Sequence, residues 1–183
     1  LSVWNSLEIE SKFIIYPIQK PLLLDKNHTT FDNFQLLEEH LVPSSSNLLF
    51  YENAFSKIQL IQEITSKQNL PVLYIDLDLL FSGYVKSELV TIPNLTLFTT
   101  LESKMNEILP KIFTKISKEP HLVIFDSING LYNTLSNDPD SGRMVNSILM
   151  LLARNVIFSN SILIISVLAT KKENDWILPN GRQ

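Results

Sequence analysis

Lys57, Asp126 and Asp78 are the side chains of this sequence whose positions best suit phosphate chemistry. Lys57 follows an apolar run and a short turn, Asp126 closes an apolar run, and Asp78 stands with Asp76 at the end of another. A lysine in the first turn of a helix can hold phosphate oxygens, and an aspartate at the carboxyl edge of a sheet can orient Mg²⁺. Together these residue types would suit a nucleotide site, if the chain before Lys57 can cradle phosphates.

The segment before Lys57 departs from a working phosphate-binding loop. Such a loop reads Gly, four residues, Gly-Lys-Ser/Thr, because glycines let backbone N–H groups approach the phosphates and the hydroxyl holds Mg²⁺. Tyr51 and Ser56 stand at the glycine positions and Ile58 stands at the hydroxyl position. Taken alone, the segment favours an ordinary helix with a solvent-facing lysine, and Asp126 alone favours a turn or a helix cap.

Composition excludes several other kinds of site. The three histidines, His28, His40 and His121, share no ligand spacing and the chain has no cysteine, so we predict no metal site and no disulfide. Fifteen Lys and Arg against nineteen Asp and Glu give a net charge of −4, so any nucleic-acid contact must be local. The apolar runs are shorter than the roughly 20 residues of a membrane helix, and we predict no membrane partner.

The apolar pattern predicts the elements that would position these side chains. Runs near 13–16, 48–50, 71–78, 122–126 and 162–167 predict strands. Helical periodicity predicts helices over 30–41, 56–68, 101–116 and 144–158, and turn-forming residues predict a loop over 133–142. With 183 residues and 45% hydrophobic content, the chain suits one α/β domain in which crossover helices join buried strands.

In their order, these segments resemble the RecA/RadA/KaiC family of recombinase-type ATPases. Tyr74-Ile75-Asp76-Leu77-Asp78 is similar to the family's strand ending Tyr-Ile-Asp-Thr-Glu, which would put Asp78 where the family keeps its water-activating glutamate. Asp126-Ser127 is similar to its second acidic strand. Gly142-Arg143 and the Leu-rich stretch 148–153 are similar to a DNA-binding loop and the long helix after it. The match runs from about 29 to 182.

The resemblance implies a RecA-like, mostly parallel sheet flanked by helices on both faces, with a degenerate P-loop. It implies an N-terminal extended or docking segment over 1–28 and a RecA-like core domain over 29–183. Val167-Leu168 replaces the family's polar sensor and offers no side-chain hydrogen bond to a γ-phosphate. We therefore expect a pseudo-ATPase without catalytic residues or cofactor, in which Lys57, Asp78 and Asp126 are vestiges of a nucleotide site.

Four cations are candidate DNA contacts: Arg143, Lys171, Lys172 and Arg182. They stand at positions where the resembled family has its DNA-binding loops. Trp176 lies between the last two and could stack on a base, although acidic neighbours weaken the field. The alternatives are a turn at Arg143 and a solvated loop after 167.

These features imply a non-catalytic recombinase paralogue, similar to the Walker-less members of Shu-type complexes. Such a chain would be an accessory or assembly subunit in homologous recombination and DNA repair, and would help load or stabilise a recombinase filament on single-stranded DNA. Its implied partners are other recombinase-like subunits, a RecA-type recombinase and single-stranded DNA, in the nucleus of a eukaryote or otherwise the cytoplasm. One alternative is a structural RecA-like subunit of an Elongator-type tRNA-modification assembly. Another is an enzyme that retains weak nucleotide binding through Lys57 and Asp126.

Overall fold

Buried strands form one seven-stranded sheet in the computed structural model, which describes residues 7–9, 13–17, 41–100, 104–172 and 175–178. The sheet contains β1 (Leu7–Ile9), β2 (Phe13–Pro17), β3 (Ser45–Tyr51), β4 (Val72–Asp76), β5 (Leu95–Thr99), β6 (Leu122–Asp126) and β7 (Ile162–Leu168). A separate hairpin contains β8 (Thr170–Lys172) and β9 (Asp175–Ile177). The helices are α1 (Ala54–Lys67), α2 (Leu80–Lys86), α3 (Met105–Ile116), α4 (Ile128–Thr134) and α5 (Ser141–Phe158).

The sheet has the order β1-β2-β3-β7-β6-β4-β5. The strands from β3 to β5 in that order are all parallel, and β1 and β2 extend the sheet by antiparallel pairing beside β3. Every residue of β4 and β6 is buried, as expected for parallel strands covered on both faces. The structure therefore confirms an α/β fold with a parallel sheet flanked by helices, and this fold is consistent with the RecA-like class.

Alternation along the strands divides the core between the two faces of the sheet. Val72 and Tyr74 of β4 join a cluster that includes the inward side of α1, whereas Leu73 and Ile75 join a cluster with α3, α4 and α5. By the same alternation, a polar residue near the end of a strand lies on the same face as the apolar residue two positions before it.

Several predicted boundaries were wrong. β4 ends at Asp76, so Asp78 lies beyond the strand, and α1 begins at Ala54 because the Asn53 side chain caps it. The predicted loop over 133–142 is shorter, since α4 extends to Thr134 and α5 begins at Ser141. Sequence analysis missed α2 and β5 entirely, because an element of seven or five residues gives little periodicity.

Part of the predicted organisation lies outside the described residues. The helix predicted over 30–41 falls there except for its last residue, and so does Arg182. β1 and β2 belong to the predicted segment 1–28, and both pair within the main sheet. The division at residue 28 stays a prediction.

Candidate functional site: a buried Lys–Asp cluster at the sheet edge

Polar side chains collect where the parallel strands end. Tyr51 on β3, Tyr74 on β4, Asp126 on β6 and Ser166 on β7 are all buried near the carboxyl ends of their strands. In β4, β6 and β7 these positions are in phase with Val72, Ile124 and Ile164, which belong to the core cluster under α1. The strand period therefore turns these polar groups towards α1.

Lys57 enters this cluster from the first turn of α1. Only Glu52 and Asn53 separate β3 from α1, and the Asn53 side chain accepts a hydrogen bond from the Ser56 N–H at 3.1 Å. Lys57 lies four and seven residues before Ile61 and Ile64, so it shares their inward-facing stripe. Its side chain is only 1% exposed. The solvent-facing lysine favoured by the isolated segment was therefore wrong.

The Lys57 ammonium forms a buried ion pair with Asp126. Nζ lies 2.6 Å from Oδ1 and 2.7 Å from Oδ2 of that carboxylate. The Tyr74 hydroxyl donates to Oδ2 at 2.5 Å, and the Ser166 hydroxyl donates to Oδ1. Asp126 is neither a turn residue nor a helix cap, because Ser127 takes the cap role by accepting from the Gly130 N–H. Both carboxylate oxygens are thus satisfied within the chain.

Two tyrosines enclose the ion pair. The Tyr51 ring centroid lies 4.5 Å from the Lys57 Nζ, within range of a cation–π contact. Tyr74 stacks on Phe81 with ring centroids 3.8 Å apart. Burial, reinforced by the charge of Asp126, raises the pKa of both phenols above their ordinary value. Both hydroxyls therefore remain protonated at neutral pH.

Asp76 is a second buried carboxyl group beside this cluster. Its Oδ2 accepts a hydrogen bond from the Ser82 N–H at 2.6 Å, whereas its Oδ1 is buried without a hydrogen-bond partner. Burial raises the pKa of Asp76, and the charge of Asp126 adds to this shift against the opposing effects of Ser82 and Lys57. The Lys57 ammonium thus contacts Asp126, and its charge also favours the ionised form of Asp76.

Asp78 lies outside the ion pair and next to it. Its exposed side chain accepts a hydrogen bond from the Ser127 hydroxyl at 2.7 Å. Gly130 on α4 makes this close approach feasible, because a Cβ there would lie 2.5 Å from the Asp78 Oδ1 and 2.8 Å from the Leu77 Cβ. The structure therefore brings all three predicted nucleotide-site residues to one edge of the sheet, but only Lys57 and Asp126 touch.

Internal contacts also occupy the backbone at Val167-Leu168, where the resembled family would have its polar sensor. The Leu168 N–H donates to the Asn129 side chain at 2.8 Å, and the Ala169 N–H donates to the Tyr51 carbonyl at 2.9 Å. The polar side chain that β7 contributes is Ser166, one residue before the predicted pair Val167-Leu168. Sequence reasoning missed Ser166 and Tyr74, although polar residues in phase with a strand's buried side were a usable signal.

Of the candidate DNA contacts, only Arg143 has a described side chain, and it does not join the Lys57–Asp126 cluster. Arg143 lies in the first turn of α5, 81% exposed, with its guanidinium 3.6 Å from Asp140. Lys171 and Lys172 lie on β8, where Lys171 is paired with Trp176 across the hairpin. The side chains of these three hairpin residues and all of Arg182 lie outside the described part. A DNA role for the four cations stays a prediction.

Comparisons with protein-family models and with curated proteins find no match to this chain. Within residues 41–100 and 104–170, no group of three or more histidines and carboxylates is placed to hold a metal ion. Across the described elements, no helix is both long and apolar enough to cross a membrane. The function must therefore be argued from the geometry of the sheet edge.

Proposed function

We propose that this chain is a non-catalytic, recombinase-like subunit whose P-loop is degenerate and whose nucleotide-site residues have become structural. The observation that carries the proposal is the buried Lys57–Asp126 ion pair. Phosphoryl transfer needs the lysine on phosphate oxygens and the aspartate on Mg²⁺. Here each of these charges neutralises the other at 2.6 Å, so neither is available to a ligand unless the pair breaks.

The turn between β3 and α1 supports the same proposal. A phosphate-binding loop offers unpaired backbone N–H groups around an open concavity. In this turn the Ser56 N–H donates to the Asn53 side chain and the Lys57 N–H donates to the Asn53 carbonyl. The Tyr51 ring, at the position of the first glycine, packs against the ammonium. Phosphates would have to displace each of these contacts.

An accessory role follows if the chain keeps a recombinase-like fold but does not hydrolyse ATP. By its resemblance, the chain would assemble with other recombinase-like subunits and help load or stabilise a recombinase filament on single-stranded DNA. The net charge of −4 supports a role in which protein contacts dominate, with any DNA contact confined to local cations such as Arg143.

Two measurements test this proposal. Calorimetric titration of the purified chain with ATP and Mg²⁺ should give no binding heat at millimolar nucleotide, and no phosphate release should accompany it. Hydrolysis that disappears in Lys57→Ala would overturn the non-catalytic assignment. Affinity purification from native cells should recover recombinase-like proteins, whereas recovery of tRNA-modification subunits would favour the Elongator-type alternative.

A further inference from the structure

The outer side of α5 carries large apolar residues among polar ones, although its inner side already packs on the sheet. Val145, Ile148, Leu152 and Val156 are buried on the inner side. The outer side carries five large apolar residues with 37–77% of their surface exposed: Met144, Met150, Leu151, Ile157 and Phe158. A helix at the surface of a domain normally presents polar residues on that side. The fold of the described residues therefore leaves this second apolar side unexplained.

The spacing of these residues suits packing against another helix. Met144, Leu151 and Phe158 recur at intervals of seven, and so do Met150 and Ile157. A seven-residue interval is close to two helical turns, so the apolar residues form two rows along the helix, with Ser147 and Arg154 between the rows. Such a surface fits a partner helix that packs its own apolar side chains against both rows. We call these five residues and Arg154 the α5 strip.

Arg154 restricts what can cover the strip. Its guanidinium lies over the Phe158 ring, 5.6 Å from the centroid, and therefore among the apolar residues. Within the described part of the chain, no ion pair places a carboxylate on Arg154, whereas Arg143 is paired with Asp140. Burying a guanidinium without a carboxylate is costly, so a tight partner must bring one.

We propose that the α5 strip binds an amphipathic helix of a different protein, with a carboxylate on that helix facing Arg154. A second copy of this chain fits less well, because α5 contains two arginines and no Asp or Glu. An α5-to-α5 contact would bury both copies of Arg154 and satisfy neither. This surface goes beyond the proposed function, since it depends neither on the state of the nucleotide site nor on the partner being a recombinase.

Site-specific photocrosslinking in cells that naturally produce the protein identifies what binds the α5 strip. A photoreactive phenylalanine analogue replaces Leu151 in the full chain, with Gln59, exposed on α1, replaced in the matched control. We expect an adduct at position 151 and none at 59, and peptide mapping should place the crosslink in a partner segment with helical apolar spacing and acidic residues. A crosslink to a second copy of this chain, a crosslink to a basic segment or no adduct would each overturn the proposal.

A charge reversal tests the carboxylate separately. Arg154→Glu should lower the adduct yield at position 151 at least about tenfold, the effect expected when a paired charge in an interface is reversed. Lys115→Glu, the same charge change at an exposed position on α3, should leave the yield within about twofold. Equal yields from the two variants would show that no carboxylate faces Arg154. ATP hydrolysis by the chain would refute the proposed function and leave this result untouched.

Discussion

Replacing Lys57 by methionine tests the buried ion pair directly. Lys57→Met keeps an unbranched side chain and leaves the Asp126 carboxylate buried without its cation. At 2.6 Å, two unit charges attract by about 6 kcal/mol at an effective dielectric constant of about 20. That attraction offsets the desolvation of both groups only while both are present. We therefore expect the free energy of unfolding to fall by about 3–5 kcal/mol, the usual cost of removing one member of a buried pair.

Urea unfolding followed by circular dichroism measures this loss. With a urea dependence of about 2 kcal/mol per molar, the midpoint should fall by about 1.5–2.5 M. The matched control is Lys67→Met in the last turn of the same helix, where the lysine pairs with Glu63 at 3.3 Å and is 39% exposed. An exposed pair contributes at most about 1 kcal/mol, so this variant should unfold close to the wild-type midpoint.

The double variant Lys57→Met, Asp126→Asn shows whether Lys57 and Asp126 stabilise the fold as a coupled pair or independently. It removes both charges, and the amide oxygen keeps an acceptor for one of the two hydroxyls of Tyr74 and Ser166, whereas the amide NH₂ group faces the other. We expect it to be more stable than the sum of the two single losses implies, by about 2 kcal/mol. Additive losses, or a Lys57→Met loss no larger than that of Lys67→Met, would refute the coupling derived from the structure.

Three further changes follow from neighbouring contacts. Because burial raises the pKa of Asp76 above 3.8, the stability it contributes is complete below about pH 4 and is lost as the pH rises through the raised value; Asp76→Asn should thus gain stability relative to wild type, measured by thermal unfolding, as the pH rises above about 4. Gly130→Ala should cost about 1–3 kcal/mol in urea, because its Cβ meets atoms at 2.5 Å and 2.8 Å, whereas Gly142→Ala, with no atom within 4 Å, should not destabilise; equal effects would contradict the close approach. Tyr74→Phe should cost about 1.5–3 kcal/mol by removing a donor to a carboxylate while keeping the ring, and an unchanged midpoint would argue against that hydrogen bond.

The fold was largely predictable because its central elements carry strong local patterns. The runs 122–125 and 162–165 are apolar throughout, and short runs of such composition are typical of strands buried on both faces. The strand β5, with Thr96 and Thr99 among its five residues, has too weak an apolar signal to be recognised. The order of the strands, with β7 between β3 and β6, depends on long-range pairing that local pattern does not encode.

The residues of the candidate site could be predicted from the sequence, but the contacts between them could not. The resemblance selected Lys57 and Asp126, which are separated by 69 residues in sequence, without indicating that they would pair. The burial of Lys57 could be predicted from spacing, since it lies four and seven residues before the apolar Ile61 and Ile64 on one helical stripe. The solvent-facing lysine that the isolated segment favours follows from residue type, because lysines are rarely fully buried unless they are paired.

The direction of the polar contacts at the sheet edge separates a structural role from a catalytic one. Asp126 accepts from an ammonium and two hydroxyls, so an arriving metal ion would compete with three donors already held by α1, β4 and β7. The same contacts tie the first turn of α1 to β6 and to the strands on both sides of β6, which are β7 and β4. Under the proposed function, a substitution at Lys57 or Asp126 therefore acts first on the stability of the fold, and through it on assembly. In an ATPase the same substitution would remove turnover from a chain that still folds, so stability and turnover measured on one variant distinguish the two roles.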